Sequence, residues 1–139
     1  MKRNLQFKKV LKINADSALK AVSNFSKYED FVPGCTGASL ISRNPPIEIG
    51  RLEFNILGKK YFIESRNEIL ENSINIEQLK GPFDNFSGKW TLKKIDKDFC
   101  EVCFHAQFEL PFLLNAIIPQ SLVESFSTNI IESFIKEAQ

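Results

Sequence analysis

The sequence predicts a single α+β domain in which a curved antiparallel sheet wraps around a long C-terminal helix. Two observations carry this prediction. Between residues 38 and 110, short segments with apolar residues at every second position follow one another with only short breaks, which is typical of strands joined as an antiparallel meander. After residue 111 the apolar spacing changes to that of a helix, and this helix is the only element long enough to cover one face of the sheet.

The composition is that of one globular domain. The 139 residues are about the size of an ordinary domain and contain no repeat, low-complexity tract or linker, so we expect residues 1–139 to form one domain. Thirteen phenylalanines stand against one tryptophan and two tyrosines. Phenylalanine brings a large apolar surface without a polar group, which suits a thick core and an apolar cavity equally well.

The chain is predicted to begin with a strand and two short helices. Residues 5–13 alternate between apolar and polar side chains with one interruption, and this alternation predicts a first strand. Asn14 or Asp16 is placed to cap the helix that follows. A further helical turn is expected to end at the Pro33-Gly34 pair, because proline and glycine both interrupt helices.

Six strands are predicted in the middle of the chain. The clearest is the last, where six alternating apolar positions are incompatible with a helix. Turn signals at Gly58 and at Gly81-Pro82 separate neighbouring segments. The predicted strands cover residues 38–42, 52–56, 60–70, 74–76, 90–92 and 100–110.

The C-terminal pattern predicts a helix with a broad apolar stripe and polar residues opposite. Pro119 falls inside this pattern, so we expect the helix to kink there or to begin there. A bent sheet that covers a single helix leaves a gap between the two, and this gap is the predicted place for a ligand.

Net charge argues against a nucleic-acid-binding protein of the usual kind. Lysine and arginine total 18 and the acidic residues 17, so the net charge is +1 and DNA is not an expected partner. A solvated strand edge is the usual explanation of a local basic cluster, and contact with phosphate on RNA or lipid is the alternative. The cluster here is N-terminal and consists of Lys2, Arg3, Lys8, Lys9 and Lys12.

The cysteines predict a reducing compartment. An odd number of them, with no apolar stretch of signal-peptide length at the start of the chain, favours the cytoplasm. Cys100 and Cys103 have the spacing of a metal motif. Residues three apart on a strand point to opposite faces, however, so no metal site is expected.

The single histidine argues against catalysis. His105 occupies a polar position on the last predicted strand, so it is expected on the outer face of the sheet, away from any interior substrate. No serine, histidine and acid can then form a catalytic triad inside the domain. The sequence therefore predicts a protein that is not an enzyme and has no catalytic residues.

Three segments together resemble a known family. They are Tyr28-Glu-Asp-Phe-Val-Pro-Gly-Cys35, the loop Gly81-Pro82-Phe83 followed by Trp90, and the ending Phe126–Phe134. In this order and spacing they resemble the coenzyme Q-binding family, which lies in the START/polyketide cyclase superfamily and includes bacterial ribosome-association toxins. The resemblance covers residues 5–137. Two departures, Lys136 in place of a frequent arginine and the Asn44-Pro45-Pro46 loop, do not affect the fold that it implies.

The resemblance implies a helix-grip fold, of the START/Bet v 1-like type, with a hydrophobic cavity. It implies that the cavity holds ubiquinone or a similar lipid without transforming it, in support of respiratory electron transport. It also implies an alternative, a toxin-like protein that binds the large ribosomal subunit and blocks translation initiation. Aromatase/cyclases belong to the same superfamily, which leaves an enzyme as a further alternative by analogy of fold alone.

The predicted ligand site centres on the fourth strand. Residues 60–70 carry charges on one face, and Ser65 and Asn67 lie between apolar residues on the other. Neutral hydrogen-bond donors suit quinone carbonyls, although bonding within the protein is the commoner role of such groups. The predicted ligand-binding residues are Phe54, Ile63, Ser65, Asn67, Trp90, Phe104, Phe108, Leu122, Val123, Phe126 and Ile130.

The expected partners follow from these interpretations. They are a small apolar ligand, a transient contact with a membrane surface, and the large ribosomal subunit as the alternative. No cofactor is expected other than a bound ubiquinone or lipid. The expected location is the cytoplasm, with peripheral contact at the inner membrane. The tail length of the ligand and the oligomeric state stay open.

Overall fold

The computed structural model of the protein describes residues 2–56 and 58–138, apart from the side chains of Phe25, Ile56, Phe126 and Ala138. The strands in these ranges are β1 (Lys2–Leu11), β2 (Cys35–Asn44), β3 (Ile47–Ile56), β4 (Lys59–Ile69), β5 (Ser73–Lys80), β6 (Asn85–Lys94) and β7 (Cys100–Glu109). The helices are α1 (Ala15–Ser23), α2 (Tyr28–Phe31), α3 (Phe112–Ile117) and α4 (Gln120–Ala138).

The strands form one antiparallel sheet in the order β1-β7-β6-β5-β4-β3-β2. From β2 to β7 each strand pairs with the next, so the predicted meander is confirmed. The strand β1 adds beside β7 along its whole length, from Lys2 opposite Glu109 to Leu11 opposite Cys100. The start of β1 and the end of β7 therefore share one end of the sheet, the α3 end. The α1 end is the opposite one, where α1 follows β1.

Local sequence explains how the helices begin and end. The Asn14 side chain caps α1, as predicted, because its Oδ1 accepts a hydrogen bond from Ser17 N at 2.8 Å. Gly34 follows α2 with a φ of 80°, a conformation that glycine adopts without strain. Pro119 separates α3 from α4, so the apolar pattern after residue 111 forms two helices and the long one begins just after the proline.

Four strands are longer than their apolar pattern indicates, namely β2 and β3, predicted over 38–42 and 52–56, together with β5 and β6. β6 extends over Asn85–Lys94, although only residues 90–92 predicted it, and β5 runs on to Lys80. Pairing with a long neighbour sets the length of a central strand, and polar residues on the outer face do not interrupt it. These four predicted strands were therefore correctly placed but too short, whereas β1, predicted over 5–13, begins and ends earlier, at Lys2 and Leu11.

The core is tightly sealed at the α1 end. Leu11, Leu92, Cys100 and Val102 are each at most 2% exposed. The C-terminal half of α4 covers this part of the sheet and packs against α1 and β1. The side chains by which it joins the core are Ile131, Phe134 and Ile135.

Candidate ligand-binding groove

The inner face of the sheet is only partly covered from its middle to the α3 end. Several apolar side chains there are half-buried, although Phe108 (3% exposed) and Ala106 (1% exposed) are covered, whereas the core side chains at the α1 end are sealed. Half-buried aromatic residues on a concave face provide an apolar surface on which a ligand is able to pack. The half-buried apolar residues of this part of the sheet and its loop are Phe54, Ile63, Ile76, Phe83, Phe86 and Phe104.

Three phenylalanine rings form one wall of this groove. Phe83 lies 5.2 Å from Phe86 and 5.4 Å from Phe108 between ring centroids, and Phe86 lies 6.3 Å from Phe108. Phe86 and Phe108 are paired residues on β6 and β7, whereas Phe83 comes from the loop before β6. These centroid distances lie in the range of favourable aromatic contacts.

A glycine leaves space on the floor of the groove. Gly88 is opposite Ala106 in the β6–β7 pairing, so both positions on the inner face are small. A Cβ atom at Gly88 would lie 3.4 Å from the Phe104 ring and 3.5 Å from the Phe86 ring. A larger side chain would therefore occupy the space between these two rings.

Ser65 and Asn67 bring the polar atoms predicted for the site. Ser65 is 6% exposed and Asn67 is half-buried. The Ser65 hydroxyl donates a hydrogen bond to Asn67 Oδ1 at 3.0 Å. The two side chains thus satisfy part of each other's bonding capacity, and the Asn67 amide NH₂ group is the donor that this contact leaves over.

The structure brings seven of the predicted site residues to the inner face of the sheet, namely Phe54, Ile63, Ser65, Asn67, Trp90, Phe104 and Phe108. Phe108 is 3% exposed, and Trp90 is buried as well. It is 5% exposed and packs against Phe104 at 4.7 Å and Phe134 at 5.4 Å between ring centroids. Trp90 therefore belongs to the sealed core and contacts the groove through Phe104.

The predicted residues on α4 divide by position. Val123 and Ile130 are half-buried, and Leu122 is 54% exposed. Leu122 and Val123 both lie in the first turn of α4, and only Val123 is turned toward the domain. The side chain of Phe126 lies outside the described residues.

The structure places several residues in the groove that sequence patterns did not single out. Gln78 bonds the backbone of Phe83 through its side-chain amide, Nε2 to O at 2.9 Å and Oε1 from N at 3.3 Å. Extending the alternation of Trp90 and Leu92 backwards along β6 points to Gly88 and Phe86. For Phe83, which lies in a loop, alternation offers no signal.

Tyr28 connects α2 to the sealed core. Its ring lies 4.8 Å from that of Phe134, edge to face, and its hydroxyl donates a hydrogen bond to Val22 O. Burial, and secondarily the Glu48 carboxylate, raise the pKa of Tyr28 well above its usual range. The phenol is therefore neutral at physiological pH.

A second, open groove lies between the start of β1 and the junction of α3 with α4. Its volume is about 780 Å³, and residues 2–4 and 115–120 line it. The Arg3 guanidinium donates to Asn115 Oδ1 at 2.9 Å, Asn115 O at 3.0 Å and Ile118 O at 2.6 Å. These hydrogen bonds hold α3 against β1.

Cys100, Cys103 and His105 lie on the faces of β7 that the alternation of side chains along a strand predicts. Cys100 is fully buried, Cys103 is half-buried and His105 is exposed on the outer face. In the ranges 2–56 and 58–138 no three His, Cys, Asp or Glu residues are grouped to hold a metal ion. No helix in those ranges is both long and apolar enough to cross a membrane.

Comparison with known proteins places this geometry in a wider group. The family model described as polyketide cyclase/dehydrase and lipid transport matches residues 11–135. The ribosome association toxin RatA of Escherichia coli K12 is 24% identical over 127 residues, which cover 91% of this chain and 80% of RatA.

Solved structures agree on the fold. The ZhuI aromatase/cyclase from Streptomyces sp. R1128 superposes with a TM-score of 0.85 at 17% identity, covering 99% of this chain and 94% of that one. A START superfamily protein from Mycobacterium smegmatis superposes with a TM-score of 0.78 at 17% identity, covering 96% and 92%. The predicted helix-grip fold and the resemblance to the START/polyketide cyclase superfamily are confirmed.

One prediction is corrected by these comparisons. The sequence was interpreted as that of a protein that is not an enzyme, but the matched family description and the aromatase/cyclase structure both name enzymes. The prediction depended on the outward position of His105, which argues only against histidine as an interior base. Because one fold serves both binding and catalysis, an enzymatic role stands open.

Proposed function

The chain belongs to the polyketide cyclase/dehydrase and lipid transport family, and from this premise we propose that it binds a small apolar molecule between the inner face of its sheet and α4. The observation that carries the proposal is the contrast between the two ends of the sheet. Leu92 and Phe134 at the α1 end are sealed, whereas Phe83 and Phe86 toward the α3 end are only half-buried. An apolar ligand would complete their burial.

A polyprenyl quinone such as ubiquinone, or a similar lipid, is the ligand class that suits these residues. A flat ring packs offset or edge-on against phenylalanine rings, and three of them line one wall. The free amide NH₂ group of Asn67 supplies a donor for a carbonyl oxygen. On this proposal the protein supports respiratory electron transport from the cytoplasm and collects its ligand at the inner membrane.

Filling the groove tests the proposal. Gly88→Val places two methyl groups between Phe86 and Phe104, so it should lower the affinity for a short-tailed ubiquinone analogue by about tenfold or more. Valine is also a better strand former than glycine, so the melting temperature should not fall sharply.

Ser87→Val is the matched control, because it adds an equivalent side chain to the same strand on the exposed outer face. The affinity, measured by isothermal titration calorimetry, should be unchanged in this variant. Equal affinities of the wild type and Gly88→Val would refute binding at this place.

Association with the large ribosomal subunit is a second candidate. The similarity to RatA favours it, since it covers 91% of this chain. Exposed lysines also gather at the α1 end, where carboxylates lie among them. Of these carboxylates, Glu101 pairs with Lys8 at 3.6 Å and Asp96 accepts hydrogen bonds from the backbone of its own turn. The lysines are Lys8, Lys12, Lys93, Lys94 and Lys97.

Cosedimentation with purified large subunits tests this candidate. Binding should weaken steeply as salt is raised, because phosphate contacts release counterions. The double variant Lys94→Gln/Lys97→Gln should reduce binding, whereas Lys59→Gln/Lys60→Gln, at the other end of the sheet, should not. Equal effects of the two double variants would contradict this surface.

A further inference from the structure

The outer face of α3 is apolar throughout. Phe112, Leu113 and Ile117 are 84%, 76% and 74% exposed, and Ala116 is exposed as well. These four positions share one face of the helix by spacing. A surface helix of a globular protein normally presents polar residues on its outer side, whereas α3 presents apolar residues there.

This exposure belongs to a helix that is held in place. The opposite face of α3, with Leu114, Asn115 and Ile118, is half-buried against the domain. Arg3 fixes that face through its hydrogen bonds to Asn115 and to Ile118 O. The apolar ridge therefore points outward as a defined part of the fold.

A basic groove lies directly beside this ridge. The open groove of about 780 Å³ is lined by two cationic residues, Lys2 and Arg3, and by no carboxylate. The Arg3 Nη1 atom is buried and has no hydrogen-bond partner within the described part of the chain. Cationic side chains next to an apolar ridge match the two parts of a phospholipid, its phosphate and its acyl chains.

The size of the surface distinguishes a bilayer from a second copy of the chain. A stable homodimer interface buries about 800 Å² and about 20–30 residues on each side. The ridge offers only five protruding apolar side chains, Leu122 included. Short apolar ridges flanked by cations are typical of helices that lie in the interface of an anionic bilayer.

We propose that α3 docks on the surface of an anionic phospholipid bilayer, with its apolar outer face among the lipid chains and a lipid phosphate in the adjacent basic groove. The inference rests on the proposed function, because the half-buried inner groove lies toward the same α3 end. A water-insoluble ligand would then pass between bilayer and groove without crossing bulk water.

Vesicle cosedimentation tests this docking. The wild type should bind vesicles of phosphatidylcholine and phosphatidylglycerol more tightly than vesicles of phosphatidylcholine alone. Phe112→Ser/Leu113→Ser should weaken binding to the anionic vesicles by about tenfold or more, since two large apolar side chains no longer leave water. Both side chains are exposed, so the melting temperature should not change.

The matched control is Val10→Ser/Ile95→Ser. These residues are 50% and 52% exposed at the α1 end, and their replacement should leave vesicle binding unchanged. An equal loss in both double variants would overturn the proposal. So would a wild-type dimer in analytical ultracentrifugation that Phe112→Ser/Leu113→Ser converts to a monomer, because the occupant would then be a second copy.

Two further measurements distinguish a failure of the docking proposal from a failure of the proposed function. Binding of inorganic phosphate without vesicle binding would assign the basic groove to a soluble anion and overturn the docking. In vesicle-free solution the affinity for a short-tailed quinone should be equal in the wild type and in Phe112→Ser/Leu113→Ser. Vesicle binding that depends on Phe112 and Leu113, with no quinone affinity, would reject the proposed function and leave the docking surface in place.

Discussion

The side-chain amide of Gln78 holds both backbone hydrogen-bonding groups of Phe83. Its Nε2 donates to Phe83 O at 2.9 Å, and Phe83 N donates to its Oε1 at 3.3 Å. The loop before β6 is thereby fixed to β5, and the Phe83 ring is held against Phe108. One wall of the inner groove therefore depends on the polar side chain of Gln78, which belongs to the neighbouring strand β5.

The first prediction concerns Gly81, which allows this arrangement. A Cβ atom there would lie 2.3 Å from Gln78 Oε1 and 3.2 Å from Ile63 Cγ1. Gly81→Ala should displace the amide and lower the free energy of unfolding by about 1–3 kcal/mol, measured in urea. In a Gln78→Ala background the same substitution should cost clearly less, because the displaced group is absent. Equal costs in both backgrounds would show that the amide is not what the added methyl disturbs.

The second prediction separates the roles of Ser65 and Asn67. Ser65→Ala removes the hydroxyl that donates to Asn67 Oδ1, so it should lower the free energy of unfolding by about 1 kcal/mol. Asn67→Ala should weaken binding of a quinone by up to about tenfold, because it removes the donor for a carbonyl. Calorimetric titration and thermal melting of both variants measure the two effects. If Asn67→Ala lowers stability and leaves affinity unchanged, the pair is purely structural.

The third prediction concerns the reactivity of the thiols. Cys103 should react with a bulky thiol reagent before Cys100, because Cys100 is 0% exposed and Cys103 is only half-buried. Burial, followed by the Glu101 carboxylate, raises the pKa of Cys103. A raised pKa lowers the thiolate fraction at neutral pH, so the reaction should accelerate as pH rises through the alkaline range.

Two variants check the assignment of this reaction. Glu101→Gln removes a nearby negative charge and should speed the modification of Cys103 at a fixed, mildly alkaline pH. Cys103→Ser should eliminate the first reacting thiol seen by mass spectrometry. Equal rates at Cys100 and Cys103 in the native protein would contradict the opposite orientation of the two side chains.

The fourth prediction uses Trp90, the single tryptophan in the sequence. A quinone in the inner groove would lie next to Phe104, which contacts the Trp90 indole, so it should quench the emission in a saturable manner. At 100 times its dissociation constant the ligand should add about 2.7 kcal/mol to the stability of the folded protein. Salt-sensitive binding to ribosomal subunits, with neither quenching nor a thermal shift, would favour the second candidate function.

Sequence patterns predicted the sheet well because its inner face is apolar. The alternation from Cys100 to Phe108 predicted both the existence of β7 and its orientation, and Pro119 marked the place where the C-terminal helix would kink or begin. The lengths of β5 and β6 were not predictable, because pairing with neighbours determines them. The open and sealed ends were not predictable either, since the half-buried Phe86 and the buried Phe108 follow the same alternating pattern.

The site was predicted less completely than the fold. Parity placed Ser65 and Asn67 on the inner face, but their contact with each other depends on side-chain rotamers that no pattern encodes. Phe83 and Gln78 meet across a loop, which has no periodicity from which to predict a contact. For Trp90, too, alternation predicts which face the side chain joins and not how deeply it is covered.

The pairing of β1 with β7 has a consequence for how the chain reaches its native state. Lys2 faces Glu109 and Leu11 faces Cys100, so the first strand pairs with residues that are synthesised 89 to 107 residues later. Contacts so distant in the sequence slow folding, because a long loop must close before they stabilise anything. During synthesis the meander from β2 onward is able to assemble while β1 is still unpaired, with Leu5, Phe7 and Leu11 exposed. We therefore expect the N-terminal strand to be the segment of the nascent chain to which a chaperone binds.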